Sequence, residues 1–190
     1  MKFPIIAYGD PVLRRKATAI EPEEYPHIKE LIENMFETMY GAHGVGLAAP
    51  QVGISMRLFV VDASPFGEDD PSLKDFKKAF INAVVLEETG EEWAFNEGCL
   101  SIPDIREDVY RNKTVRLSYY DENWKHYEET FSGMAARIIQ HEYDHTEGKL
   151  FTDKLSPLRK RLIEKKLNDI SKGIVDVEYK MKFPATKKGR

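Results

Sequence analysis

The stretch Gln140-His141-Glu142-Tyr143-Asp144-His145 holds two histidines four residues apart, with a glutamate directly after the first. On an α-helix, residues four apart share a face, with Cβ atoms only about 6 Å from one another. Two imidazoles on that face can grip one metal ion. At roughly 100° of rotation per residue, Glu142 falls beside the His145 row, where its carboxylate can reach a water polarised by that ion without being a ligand itself. This is the pattern of a hydrolytic metal site. The plainer reading is a pair of surface histidines on a helix, so the motif needs support from elsewhere in the chain.

Two other stretches supply it. Cys99 is the only cysteine, in Glu97-Gly98-Cys99-Leu100-Ser101-Ile102-Pro103, so no internal disulfide can form. A lone cysteine is a small buried hydrophobe, a nucleophile or a metal ligand. Gly98 permits close backbone approach and Pro103 is expected to stop regular pairing, which puts Cys99 at an irregular strand end where functional side chains are often displayed. The second stretch, Gly44-Val45-Gly46-Leu47-Ala48-Ala49-Pro50-Gln51-Val52-Gly53, suits a backbone that must approach something closely. No Gly-Lys-Ser/Thr follows, so it is not a phosphate loop. It follows a helix rather than a strand, so it is not a dinucleotide fingerprint. A tight helix-to-strand connection would look the same, but Gln51, polar at the end of an apolar run, reads as an amide that could be aimed. Two His and one Cys make three ligands, and a fourth position left to water marks a catalytic rather than a structural site.

The elements around these residues follow from periodicity. Apolar residues at Ile28, Leu31, Ile32, Met35, Phe36, Met39 and Tyr40 predict a core-facing helix over about residues 25–40, ended by Gly41. Residues 56–61 and 80–86 read as strands, 64–76 as a solvated loop, and 87–92 as an acidic surface turn around Gly90. Residues 114–131 read as a hairpin turning at Asp121-Glu122-Asn123, with His126 on an exposed arm. The histidine-bearing helix is expected over about residues 133–147, capped by Ser132 and closed by Gly148. Met134, Ile138, His141 and His145 lie on one of its stripes, so the histidines should project where an apolar face meets the core. A last helix begins at Ser156-Pro157, with Leu158, Leu162, Ile163, Leu167 and Ile170 as its apolar stripe. The fold class expected is α+β, with mixed, mostly antiparallel sheets packed around a central metal-binding helix. A catalytic domain of residues 1–171 should be followed by a basic tail, residues 172–190, whose simplest reading is solvated chain with frayed ends.

With 190 residues and 32% charged side chains, the composition is that of an ordinary soluble domain. A net charge of −4 argues against sequence-specific nucleic acid as a partner. The apolar run at residues 3–7 is too short for a secretory signal, and no stretch approaches the roughly 20 apolar residues of a membrane span. A cytoplasmic protein without a membrane partner is expected.

Residues 44–51, 97–101 and 140–145, in that order, resemble the three signature motifs of the peptide deformylases, and the layout between them is similar over nearly the whole chain. The resemblance implies an enzyme that removes the formyl group from the N-terminal formyl-methionine of new proteins. It implies one divalent metal, Fe²⁺ in the cell, with Zn²⁺, Ni²⁺ or Co²⁺ able to substitute. By position, Cys99, His141 and His145 would bind the metal and Glu142 would move protons. Gln51 and the Leu100 N–H would stabilise the oxyanion. Val45, Met134 and Ile138 match positions that bind the methionine side chain, and Gly46 would let the peptide backbone pair alongside. Arg106 and Arg111 could pair with Glu97 or Asp144, or touch substrate. By analogy, the basic last helix or tail could dock on the ribosome. Three rival readings are a zinc endopeptidase, with its third ligand downstream of the histidines, a metal-free thiol hydrolase, and a non-catalytic binding domain.

Overall fold

The run Leu58-Phe59-Val60-Val61 is apolar at successive positions because both of its faces are covered. Leu58 and Val60 pack on one side against Leu31, Met35 and Met39. Phe59 and Val61 pack on the other against Ala135, Ile138 and Ile139. The computed structural model that shows this describes residues 2–184. Along the chain it contains β1 (Ile5–Ile6), α1 (Ile28–Gly41), β2 (Gly46–Ala48), β3 (Leu58–Asp62), β4 (Lys77–Cys99) and β5 (Ile102–Tyr120). These are followed by β6 (His126–Ser132), α2 (Gly133–Thr146), α3 (Pro157–Ser171) and β7 (Met181–Lys182). Strands β2 to β6 form one antiparallel sheet in chain order, while β1 and β7 make a separate parallel pair. The architecture is α+β, with α1 and α2 on opposite faces of β3 and the histidine helix α2 against the middle of the sheet.

Several local expectations are corrected. Residues 87–92 are not a turn. They belong to β4, which continues to Cys99 with register shifts between Val85 and Glu87 and between Thr89 and Glu92. Gly90 there takes a left-handed φ of 79°, as a bulged strand can require. Regular pairing does lapse at Pro103, since β4 and β5 are in register at Cys99–Ile102 and again only from Glu97–Glu107, but β5 itself begins at Ile102, twelve residues before the arm expected from residue 114. Helix α1 begins at Ile28. Gly41 is its last residue, and the left-handed position after it is His43 at φ 58°. Ser132 sits at the N-cap of α2 as expected, but its side chain makes no capping bond. Its hydroxyl lies 3.1 Å from Thr114 Oγ1 instead. On α3, Ile163, Leu167 and Ile170 are buried, but Leu158 and Leu162 stand exposed.

The described part of the tail is packed rather than frayed. Val175, Met181 and Phe183 join the apolar cluster of Ile102, Val109, Ile163 and Leu167. Met181 pairs with Ile5 and Lys182 with Ile6. Lys187, Lys188 and Arg190, which supply half of the tail's basic side chains, lie outside the described residues. Among the described residues no helix is long and apolar enough to cross a membrane.

Candidate metal centre

β4 ends at Cys99 and β5 begins at Ile102, and these two residues are paired in register. Leu100 and Ser101 therefore form the tip of a tight hairpin. The Ser101 carbonyl accepts from the Tyr8 N–H at 2.9 Å, and the Leu100 carbonyl accepts from the Tyr179 hydroxyl at 2.8 Å. This tip lies against α2. Cys99 Sγ is 3.5 Å from His145 Nε2, and the ligand atoms of Cys99, His141 and His145 all lie within 4.8 Å of one another. Three residues singled out from sequence spacing are thus brought to one point from two distant segments.

Glu97 organises the ligands from behind. Its carboxylate accepts from His141 Nδ1 at 2.8 Å, from Arg111 Nε at 2.7 Å and from Arg137 Nη1 at 2.7 Å. A carboxylate on Nδ1 keeps a proton there and presents Nε2 as the nitrogen that can ligate. Arg111 also donates to Asp144 Oδ2 at 2.8 Å, so its role is structural. Arg106 is exposed, bonds the Asn96 side chain at 3.1 Å, and lines the cleft described below. Arg137 was not anticipated. It is buried between Glu97 and the carbonyls of Val109 and Trp93, with its guanidinium over the Trp93 ring.

Glu142 is in a different situation. It is buried on the same helix, and its Oε2 has no hydrogen-bond partner among the described residues. It packs against the backbone of Gly46, where an added Cβ would come within 2.5 Å of Glu142 Oε1. Gly46 is therefore a glycine for room, not for backbone conformation. Burial pushes the Glu142 carboxyl up to about 7. Burial would raise Glu97 as well, but the hydrogen bonds and charges of His141 and Arg111 outweigh it and hold Glu97 well below the usual carboxylate range. Burial works against a charged His141, yet its bonds to Cys99 and Glu97 raise it to about 10, so its Nε2 proton has to leave before that nitrogen can bind a metal. The same surroundings hold His145 well below its ordinary value, through burial and then the neighbouring His141 charge, which keeps its lone pair free.

Gln51 is buried, and both ends of its amide are used. Its Oε1 accepts from the Ala48 N–H at 3.0 Å, while Nε2 donates to Ser101 Oγ at 3.2 Å and to Cys99 Sγ at 3.4 Å. The four residues expected to meet substrate, Val45, Gly46, Met134 and Ile138, line one cleft of about 540 Å³. Gln51, Leu100 and Glu142 border the same cleft, as do Cys99 and His141. Phe95, Val177 and Tyr179 also line it and were not anticipated. His126, read as exposed, is exposed, and its Nε2 lies 2.7 Å from Ser118 Oγ far from the centre.

The donor set fits a divalent metal. A thiol and two imidazoles converge with their ligand atoms within 4.8 Å of one another, and no second cysteine exists to close the coordination. The thiol–imidazole set, the bordering cleft and the unpartnered buried carboxylate make a candidate metal centre of the hydrolytic kind on an α+β scaffold. The family model for polypeptide deformylase matches residues 2–161. The chain belongs to the polypeptide deformylase family, metal-dependent hydrolases that remove the N-formyl group from N-terminal formyl-methionine. The peptide deformylases of Christiangramia forsetii and Flavobacterium johnsoniae are each 59% identical to it over the full length of both chains. Among solved structures, the peptide deformylase of Thermus thermophilus superposes with a TM-score of 0.80 at 38% identity, covering 91% of this chain and 99% of that one.

Proposed function

We propose that Cys99, His141 and His145 hold one divalent metal, and that Glu142, Gln51 and Leu100 carry the hydrolysis of the formyl group. The observation that carries this reading is the convergence of the three ligands beside a buried carboxylate with one oxygen unpartnered. When bound, the ion supplies a Lewis acid that polarises the formyl carbonyl and makes water a nucleophile at neutral pH. Glu142 takes the proton from that water and delivers it to the leaving amine. Its environment suits both jobs, because a carboxyl near neutrality both accepts and releases a proton. Gln51 Nε2, held beside the cleft by Ser101 Oγ, exchanges its 3.4 Å contact with Cys99 Sγ for the oxygen on which charge develops, and the Leu100 N–H is the second donor to it. Glu97 keeps His141 in its ligating tautomer. Val45, Met134 and Ile138 enclose the methionine side chain, and Gly46 lets the peptide backbone lie close to Glu142.

Fe²⁺ is the ion proposed in the cell, where availability rather than ligand identity selects among Fe²⁺, Zn²⁺, Ni²⁺ and Co²⁺. The substrates are formyl-methionine nascent chains, so the cytoplasm is the proposed location. Ribosome docking is proposed for the exposed face of α3, where Lys160, Arg161, Lys165 and Lys166 surround Leu158 and Leu162. Binding to ribosomes that weakens as salt rises would support that docking, and salt-independent or absent binding would remove it.

The test of the chemistry is to load the protein with Fe²⁺ or Ni²⁺ without oxygen. It is then offered formyl-Met-Ala-Ser, acetyl-Met-Ala-Ser and an unblocked peptide. Formate release from the first alone is expected, stopped by chelator. The acetyl group carries a methyl where the formyl carries a hydrogen, and that methyl would have to fit between Gly46, Leu100 and the proposed metal ligands. Cleavage at internal bonds would instead indicate an endopeptidase, and chelator-resistant turnover a thiol hydrolase.

A further inference from the structure

The segment after α3 has no assigned role, yet its sequence alternates strictly: Val175-Asp176-Val177-Glu178-Tyr179-Lys180-Met181-Lys182-Phe183. The structure sorts it the same way, with the odd-numbered residues half-buried and the even-numbered ones exposed. Both ends of this strap are anchored. Val175 packs on the cluster beneath α3, and Phe183 joins that cluster from the far end. Met181 and Lys182 pair with β1, whose neighbour Ala7 donates its N–H to the Lys182 carbonyl at 2.9 Å. Between the anchors, Val177 and Tyr179 reach the cleft that holds Glu142 and Leu100.

Three groups on the hairpin tip are held from outside the hairpin. The Tyr179 hydroxyl takes the Leu100 carbonyl, the Tyr8 N–H takes the Ser101 carbonyl, and Gln51 Nε2 takes Ser101 Oγ. Tyr8 follows β1 and Tyr179 precedes β7, so the parallel pair that joins the two chain ends also clamps the tip from both sides. The carbonyl that Tyr179 holds belongs to Leu100, the residue whose N–H is proposed above as an oxyanion donor. The two groups lie in successive peptide planes that meet at the Leu100 Cα, so pinning the carbonyl restrains that Cα and limits how far the N–H plane can drift.

We propose that Tyr179 is a positioning residue for deformylation: delivered by the strap, its hydroxyl fixes the hairpin tip so that the Leu100 N–H stays aimed at the developing oxyanion. The proposal rests on the reading of Leu100 as an oxyanion donor. Loss of the hydroxyl leaves the ring, the strap and the cleft wall in place and removes one of the three restraints. A donor out of aim costs transition-state binding and leaves ground-state binding nearly untouched.

The experiment uses full-length, Ni²⁺-loaded Tyr179→Phe with formyl-Met-Ala-Ser, reading kcat and KM separately along with metal per chain and thermal midpoint. A fall in kcat of about five- to tenfold, the scale of one hydrogen bond, is expected with KM, metal content and midpoint unchanged. Asp176→Ala, exposed on the same strap, should keep wild-type kcat. An unchanged kcat in Tyr179→Phe overturns the proposal. So does a fall that tracks lost metal or a lowered midpoint, or an equal fall in Asp176→Ala, since each would make the strap merely structural. Gln51→Leu measured in parallel separates the two levels. If it loses turnover while Tyr179→Phe does not, only the positioning role fails. If neither loses turnover, the oxyanion reading fails as well.

Discussion

The end of β4 and the middle of α2 each place a buried glutamate beside His141, and the two are treated in opposite ways. Glu97 is saturated, with two arginines and a histidine donating to its carboxylate. Glu142 has an oxygen with no partner and the backbone of Gly46 against it. The first carboxyl is held well below its ordinary range and the second is pushed up to about 7. Burial alone would raise both, so the number of donors within reach decides the outcome. A carboxylate locked in its charged form can orient a ligand but cannot exchange a proton at neutral pH. One near neutrality can. Neighbouring carboxyls driven apart in this way mark the division between scaffold and acid–base catalyst.

The comparison can be broken from its strongest side first. Glu142→Gln should keep the metal and lose turnover by about 10²- to 10⁴-fold, the usual range for a lost general acid–base group. Wild-type turnover would remove Glu142 from the chemistry. Gln51→Leu should lower kcat on the order of 10²- to 10³-fold, as loss of an oxyanion donor does, with a smaller change in KM. A change confined to KM would make Gln51 a substrate-binding group instead. Glu97→Gln should weaken metal affinity roughly 10- to 100-fold, as for other lost partners of metal-bound histidines, and metal titration should restore much of its activity. Activity that stays low at saturating metal would give Glu97 a direct part in the reaction and erase the distinction from Glu142. Arg106→Ala should change stability by no more than about 0.5 kcal/mol, as for other exposed positions, because its bonds are to Asn96 at the surface. A raised KM in that variant would make Arg106 a substrate contact, in contrast to Arg111.

The candidate metal centre was legible because its signals are local or unique. His141 and His145 sit at helical spacing, and Cys99 has no competitor of its type. The sheet was harder to read for a physical reason. Residues 86–92 are exposed on both faces of β4, so no alternation marks them as strand. In the first half of β5 the inward positions include Glu107 and Arg111. Their charges are met by Arg159 at 2.6 Å and by Glu97, partners distant in sequence, so the inward face does not look apolar. Arg137 was hidden in the same way, a charge on the core side of α2 whose acceptors come from β4 and β5. On α3 the apolar stripe showed which face turns inward but not how much of it is covered, hence the exposed Leu158 and Leu162. The strap was legible in principle. Its alternating apolar and charged residues are a strand signal, masked when the tail is read only for its six basic and two acidic side chains.

The most direct test of the division of labour is to compare Glu142→Gln and Glu97→Gln side by side, measuring metal per chain and formate released from formyl-Met-Ala-Ser as Ni²⁺ is added. The predicted result is that Glu142→Gln holds about one metal per chain and stays inactive at every Ni²⁺ concentration, while Glu97→Gln starts metal-poor and recovers turnover as it fills. Recovery of Glu142→Gln by added metal, or a fully loaded Glu97→Gln that remains as inactive as Glu142→Gln, would contradict the account.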